Sequence, residues 1–195
     1  MNVGPALAAA SASFLTGAAV VVTRYVIEYV DPLPLALMRY TIAVCCLIGP
    51  IVWLRSDSLA WRERLAVMVL GTVFFGVFTY CFNVGLQTVP AARAGTLVSV
   101  MPALTLALAV GMRIEALTLA KISGVTVAIV GVAIVLNDAD SSVGFVGALA
   151  PGDLWLLGAA LCGAVYNVGT RRFLARADSI TVAFWSMLGG VMFLS

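Results

Sequence analysis

The chain has 195 residues, of which 63% are apolar and 10% are charged, and its formal net charge is +2. In soluble domains about a quarter of the residues are charged, so this composition excludes a soluble globular protein and predicts an all-α integral membrane protein. The small net charge indicates no nucleic-acid partner, and the expected surroundings are a lipid bilayer.

Seven apolar stretches approach the roughly 20 residues that a membrane-spanning helix needs. In chain order they cover residues 5–25, 35–54, 65–86, 95–112, 122–136, 154–173 and 180 to the end. Asp31-Pro32-Leu33-Pro34 predicts the break between the first two, because a proline does not continue a helix and an aspartate is costly in lipid.

A repeat relates the first two segments to the last two. Arg24 and Asp31 recur 147 positions later as Arg171 and Asp178. Five predicted segments precede the second copy, and an odd number places the two copies in opposite orientations, as in inverted-repeat transporters. We therefore predict a first five-helix repeat over residues 1–136, an outer loop over 137–152 and the start of a second, inverted repeat over 153–195.

Basic residues are distributed unevenly between alternate loops. If the N-terminus lies inside, the outer side has only Arg24 and Arg93. The inner side then carries Arg55, Arg62, Arg64, Arg113, Lys121, Arg171, Arg172 and Arg176. Because positive residues resist export, this bias predicts a cytoplasmic N-terminus.

Polar or kinked positions inside the predicted helices are the candidates for substrate contact, because a polar side chain in lipid is costly unless it is paired or faces a cavity. Spacings of three and four place Thr79, Tyr80 and Asn83 on one helical face. Pro102 removes a backbone donor, so the carbonyl of Val98 is expected to lose its intrahelical partner. The full candidate set is Thr79, Tyr80, Asn83, Ser99, Pro102, Tyr166, Asn167 and Trp185.

Each candidate also has a purely structural interpretation. Tyr80 and Asn83 suit hydrogen bonding between helices as well as they suit substrate contact. Pro102 suits a helix kink, and Trp185 suits packing or anchoring at the membrane interface.

Four charged residues are assigned structural roles. Arg39, about one turn into the second segment, either binds an anionic group or forms an ion pair with Glu28 or Asp31 near the surface, and we expect the structural role. Arg24 and Arg171, related by the repeat, are expected to anchor opposite faces.

The sequence lacks the residues and motifs that several kinds of chemistry need. The chain has no histidine, and no Asp or Glu lies deep in a predicted segment, so a proton relay of buried carboxylates is not expected. Its four cysteines lack metal-ligand spacing, and no nucleotide-binding or nucleophile motif occurs. The sequence therefore predicts a protein that is not an enzyme and holds no metal or cofactor.

The ordered set of motifs resembles EamA-type proteins of the drug/metabolite transporter superfamily. The matching pieces are Arg39-Tyr40, residues 80–86, 99–102 and 115–135, and Gly152-Asp153 followed by Tyr166 and Arg171-Arg172. The resemblance implies ten helices in two inverted five-helix halves. It also implies transport of a small metabolite across the bacterial inner membrane by alternating access, here the export of an amino acid or a related amphipathic solute.

The chain holds about seven of the ten helices that the resemblance implies. We expect it to be part of a longer product. The alternatives are a short form that completes its fold as a homo-oligomer, and a non-transporting accessory protein that assembles with a partner bundle.

Overall fold

The computed structural model describes residues 3–26, 28–54, 59–138 and 151–195, and all regular secondary structure in these ranges is helical. The helices are α1 (Val3–Val26), α2 (Pro32–Leu54), α3 (Trp61–Gly71), a π-helix (Thr72–Phe78), α4 (Thr79–Thr88), α5 (Ala91–Val98), α6 (Met101–Gly111), α7 (Leu119–Asp138), α8 (Pro151–Leu174) and α9 (Ser179–Leu194). The π-helix joins α3 to α4 without interruption, and α5 and α6 together form the fourth predicted segment. The predicted all-helical fold of about seven segments is confirmed.

Length and composition suit three of the described segments to crossing a membrane. These are Leu33–Trp53, Trp61–Thr88 and Ala91–Gly111. Shorter apolar helices cover Leu119–Gly131 and Ser179–Leu194. In α8 the charges are confined to its ends, with Asp153 in the first turn and Arg171 and Arg172 in the last.

The break between α1 and α2 is shorter than the two prolines suggest. Pro32 begins α2, and Pro34 lies in its first turn. The first turn of a helix has backbone N–H groups without intrahelical partners, so a proline there removes no hydrogen bond. The prolines therefore start the second helix, and the break ends before Pro32.

The fourth segment is interrupted at Ser99 and Val100, between α5 and α6. The Ser99 hydroxyl donates to the carbonyl of Thr96 at 2.6 Å. Pro102 lies in the first turn of α6, where a missing N–H costs least. The disturbance near Pro102 is therefore a two-residue turn between α5 and α6, in which Ser99 and Val100 keep right-handed helical backbone angles.

α8 packs against α3, the π-helix, α4, α5 and α6, and α9 packs against α2, α3 and the π-helix. Leu156 of α8 is fully buried in a cluster with Leu86, Val89, Ala94 and Leu97. The two helices of the last predicted segments therefore lie against the earlier part of the chain and help to bury it.

Two glycines allow α9 to approach the third segment closely. A Cβ atom on Gly71 would overlap the backbone of Ser186, and one on Gly189 would overlap the carbonyl of Met68. The hydroxyl of Thr72 donates across the same contact to the carbonyl of Gly189 at 3.1 Å. Small residues thus bring two backbones together, as is common between membrane helices.

Ion pairs mark the two ends of the bundle. At the basic end, which carries the inner arginines of the predicted topology, Arg171 donates to Glu115 at 2.8 Å and Arg176 to Glu63 at 3.5 Å. At the opposite end Asp153 is fully buried and accepts two hydrogen bonds from Arg93, at 2.7 and 3.2 Å. α8 is therefore held at both of its ends by side chains from the earlier part of the chain.

Candidate functional site

A cavity of about 660 Å³, here called the central cavity, lies between α1, α2, the π-helix, α4, α5 and α6, with Met187 of α9 also in its lining. A smaller space of about 240 Å³ adjoins it and shares Thr23, Arg39, Thr79 and Asn83. The residues that line the central cavity come from helices along most of the chain, from Thr16 of α1 to Met187 of α9. The packing of the bundle therefore creates this space.

One wall of the central cavity is polar. The hydroxyl groups of Tyr40 and Thr79 lie 2.7 Å apart and share a hydrogen bond. Asn83 lies one turn beyond Thr79 on α4, and the two side chains are 3% and 4% exposed, respectively. Their hydroxyl and amide groups make this wall polar, and such groups can exchange hydrogen bonds with the polar part of a solute.

An adjoining part of the lining is aromatic. Phe74, Phe78 and Phe82 lie at successive intervals of four residues, and their ring centroids are 4.7 and 5.8 Å apart in stacked geometry. Tyr166 of α8 stacks on Phe74 at 4.7 Å and extends the row, which we call the aromatic column. Stacked rings present a flat apolar surface with negative π faces. This wall is suited to the apolar or unsaturated part of a solute.

Arg39 places a guanidinium group beside both spaces. Its Cζ atom lies 5.9 Å from the centroid of the Tyr40 ring, a cation–π distance. Within the described ranges no ion pair joins Arg39 to Glu28 or Asp31, both of which are exposed in the turn before α2. Arg39 is therefore positioned to attract an anionic group into the cavity.

The structure separates Tyr80 from the other two residues assigned to its face. Thr79 and Asn83 line the central cavity, whereas Tyr80 is 40% exposed and packs edge-to-face against Trp155 at 6.2 Å. Successive helical residues point about 100° apart; Phe78 and Thr79 both line the cavity, and one further step of 100° takes Tyr80 past it. Tyr80 lies on the neighbouring face of α4.

Tyr166 and Trp185 also lie outside the lining. Tyr166 backs the aromatic wall, and its hydroxyl donates to Ser186 of α9 at 3.1 Å. Trp185 packs on a buried cluster that includes Val67, and Arg64 lies over its ring at 5.1 Å. Trp185 therefore sits toward the basic end, beside the first turn of α3.

Pro102 and Asn167 lie at a second, more open cleft of about 600 Å³ beside α6, α7 and α8. The Asn167 amide donates to Thr105 at 3.5 Å and contacts the sulfur of Met101 at 3.6 Å. Ser99 is exposed and bonded within its own turn. These three candidates are not brought together with Thr79 and Asn83.

Of the two predicted anchors, Arg24 and Arg171, only Arg171 has a side chain that the structure describes. Arg171 forms an ion pair with Glu115, which also binds Lys121. The hydrogen bond from Lys121 and then that from Arg171 hold the pKa of Glu115 below its usual value. The side chain of Arg24 lies outside the described part of the structure.

Sequence reasoning missed the aromatic column and the role of Tyr40. Phe74, Phe78 and Phe82 recur every four residues, a spacing that places side chains on one face of a helix and was visible in the sequence. The hydrogen bond between Tyr40 and Thr79 joins residues 39 positions apart, and no local pattern predicts it.

The central cavity therefore combines hydroxyl, amide and guanidinium groups with a stacked aromatic wall. Ligand pockets commonly have this composition, with mostly apolar lining and a few polar groups that fix orientation. No group of three close metal-ligating side chains occurs among the described residues. The arrangement is suited to noncovalent binding of an amphipathic solute.

Relatives of the chain are named as transporters. It is 24% identical over 184 residues to the uncharacterized transporter YyaM of Bacillus subtilis (strain 168), which covers 93% of this chain and 60% of that protein. It is 30% identical over 170 residues to a probable terminal-alkyne amino-acid exporter of Streptantibioticus cattleyicolor, which covers 82% of this chain and 52% of that protein. The chain thus spans between about half and three fifths of the length of these relatives.

An uncharacterized transporter of Archaeoglobus fulgidus is 20% identical over 174 residues, which cover 89% of this chain and 60% of that protein. No solved structure matches the chain closely enough to show a relationship. Residues 4–137 match the EamA-like transporter family. The match extends from α1 to the end of α7, and it includes the residues of both walls of the central cavity except Tyr166. The chain belongs to the EamA-like transporter family.

Proposed function

We propose that this protein exports a small amphipathic solute, an amino acid or a related compound, and that the central cavity is its binding site. The observation that carries the proposal is the pairing of two unlike walls around one space. Tyr40, Thr79 and Asn83 form the polar part of its lining, and Phe74, Phe78 and Phe82 of the aromatic column form the adjoining apolar part. An amino acid has the same division, because its charged backbone groups and its side chain differ in polarity.

Arg39 supports a carboxylate-bearing solute. A guanidinium group forms strong, charge-assisted hydrogen bonds with a carboxylate. The aromatic column would then contact the solute's side chain, and the Tyr40–Thr79 pair its amino group. The name of one relative, a probable terminal-alkyne amino-acid exporter, agrees with this class of solute.

The position of the cavity supports alternating access. It lies along the bundle between the ion pairs of the basic end and the Arg93–Asp153 pair of the opposite end. In transporters of this kind, a central site opens to one side of the membrane at a time. In the proposed orientation the N-terminus and the basic end face the cytoplasm of a bacterial cell, as the distribution of arginines suggests.

The proposal is tested by solute flux from vesicles that contain the purified product of the whole native gene. Vesicles are loaded with single labelled amino acids of aromatic, aliphatic, polar and charged classes, and efflux is compared with that from protein-free vesicles. We expect saturable efflux of at least one apolar or unsaturated amino acid. If folded protein gives no efflux above the protein-free background for any class, the proposal fails and a non-transporting accessory role is favoured.

A further inference from the structure

Another space, larger than the central cavity, lies elsewhere in the bundle. It is an apolar groove of about 910 Å³ between α3, α6 and α8, and it shares no lining residue with the central cavity. Its lining includes Leu65, Val69, Leu108, Met112 and Val165. Several of these side chains are exposed, and Val69 is 66% exposed. In a membrane such a groove faces acyl chains.

A basic cleft continues this groove at the basic end of the bundle. The cleft has a volume of about 330 Å³, and Ala66 and Arg172 line both spaces. Its remaining lining residues are Arg62, Glu63, Phe173 and Arg176. The two spaces therefore form one continuous site that is apolar along its length and basic at its mouth.

The charges at the mouth do not cancel. Arg176 lies 3.5 Å from Glu63, the acidic residue of the cleft, so Arg62 and Arg172 contribute the excess positive charge. Arg172 lies over the ring of Phe173 at 4.5 Å, and both residues line the cleft. Arg171 also lines the groove but is paired with Glu115. An anion at the mouth would meet two arginines that form no ion pair within the described residues.

We infer that the groove and the cleft together bind one phospholipid with an anionic head group. Its phosphate would lie at Arg62 and Arg172, and an acyl chain would follow the groove past Val69. These positions are compatible in length, because the seven residues from Arg62 to Val69 span about 10 Å of helix. Basic pockets between membrane helices are suited to anionic lipid head groups, and each arginine near the surface adds to their attraction. The inference is independent of the solute that the central cavity binds.

The first test measures head-group preference. The product of the whole gene is purified in detergent, mixed with equal amounts of phosphatidylglycerol and phosphatidylcholine, and examined by native mass spectrometry for retained lipid. We expect wild-type protein to retain phosphatidylglycerol with a preference of about thirtyfold, from two arginine contacts. The double variant Arg62→Gln/Arg172→Gln should lose most of this preference. Arg113→Gln, at the same end but outside both spaces, should keep it.

The second test measures chain occupancy. Val69→Trp fills the groove and should reduce the retention of both lipids, whereas Val127→Trp, on an exposed part of α7 outside the groove, should not. Melting curves establish that each variant is folded. The inference is overturned if wild-type protein shows no head-group preference, or if the double arginine variant keeps it. It is also overturned if Val69→Trp leaves lipid retention unchanged, as expected if another segment or a second copy covers the groove.

Discussion

Arg39 supplies a permanent positive charge at the edge of the central cavity, next to the Tyr40 ring. Its predicted role was structural pairing near the surface, and its position beside the cavity favours a role in solute selection. A guanidinium group discriminates between solutes with and without a carboxylate, because a charge-assisted hydrogen bond is worth about 1.5–3 kcal/mol.

We therefore predict that Arg39→Gln lowers the preference for a transported amino acid over its decarboxylated amine by about tenfold, which corresponds to about 1.4 kcal/mol. The measurement is efflux of the two solutes from vesicles. Arg39→Lys, which keeps the charge but not the planar group, should retain part of the preference. An unchanged preference in Arg39→Gln would show that Arg39 is only an anchor.

Part of the cavity was predictable from local spacing, and part was not. Thr79 and Asn83 are four residues apart, so one helical face and one cavity contain both. Tyr80 also lies three residues from Asn83, and only the packing of α8 decides that it meets Trp155 instead of the cavity. Residue spacing within a helix tells which side chains share a face about 100° wide. Contacts with helices that are distant in sequence decide which of these side chains line the cavity.

At the scale of helices, the contact between α9 and the third segment depends on glycine. At Gly71 and Gly189 an added methyl group would overlap backbone atoms of the facing helix. No rotation of a side chain can remove that overlap. α9 must move away, and the hydrogen bond from Thr72 to Gly189 must break.

We predict that Gly71→Ala or Gly189→Ala lowers the free energy of unfolding by about 1–3 kcal/mol, the usual cost of overpacking. Gly158→Ala is the matched control, because its new Cβ would meet no atom within 4 Å. Alanine favours a helix over glycine by about 1 kcal/mol, so this control should be neutral or stabilising. Unfolding curves in detergent distinguish the sites, and equal effects at Gly71 and Gly158 would contradict the close approach.

The ion pairs of Glu115 connect the loop after α6 with α8 and the start of α7. Because the folded state lowers the pKa of this carboxyl group, its ionised form stabilises the fold. That stabilisation is present above the ordinary glutamate pKa of about 4.3 and is lost as the pH falls through the lower value of the folded state.

Glu115→Gln should therefore lower the melting temperature slightly at pH 7, and the difference from wild type should shrink as the pH falls below about 4. The effect is small because the pair is exposed and screened by salt. Arg171→Gln, which removes the partner instead, should show the same trend. A difference from wild type that grows at low pH would contradict this account.

For the whole molecule, composition and the length of the apolar stretches predicted the class of fold, because a helix must be long and apolar to cross a bilayer. The inverted repeat stays a prediction; the start of α9 at Ser179, 147 residues after the start of α2 at Pro32, agrees with its spacing. Composition did not predict the pairing of Arg93 with Asp153. Asp153 lies in the first turn of α8, where the sequence places it, but burial against a residue sixty positions away depends on how the helices pack.

The central claim, that the cavity lined by the polar wall and the aromatic column binds the transported solute, is tested most directly by two neighbouring substitutions. Thr79→Val keeps the side-chain shape but removes the partner of Tyr40 inside the cavity, whereas Tyr80→Phe removes a hydroxyl outside it. Efflux of the same amino acid is measured in vesicles that hold equal amounts of folded protein. A hydrogen bond from Thr79 to the solute is worth about 0.5–1.5 kcal/mol, so Thr79→Val should reduce efflux at low solute concentration by up to about tenfold while Tyr80→Phe has little effect. Equal efflux from Thr79→Val and wild type, or a larger loss in Tyr80→Phe, would contradict the claim.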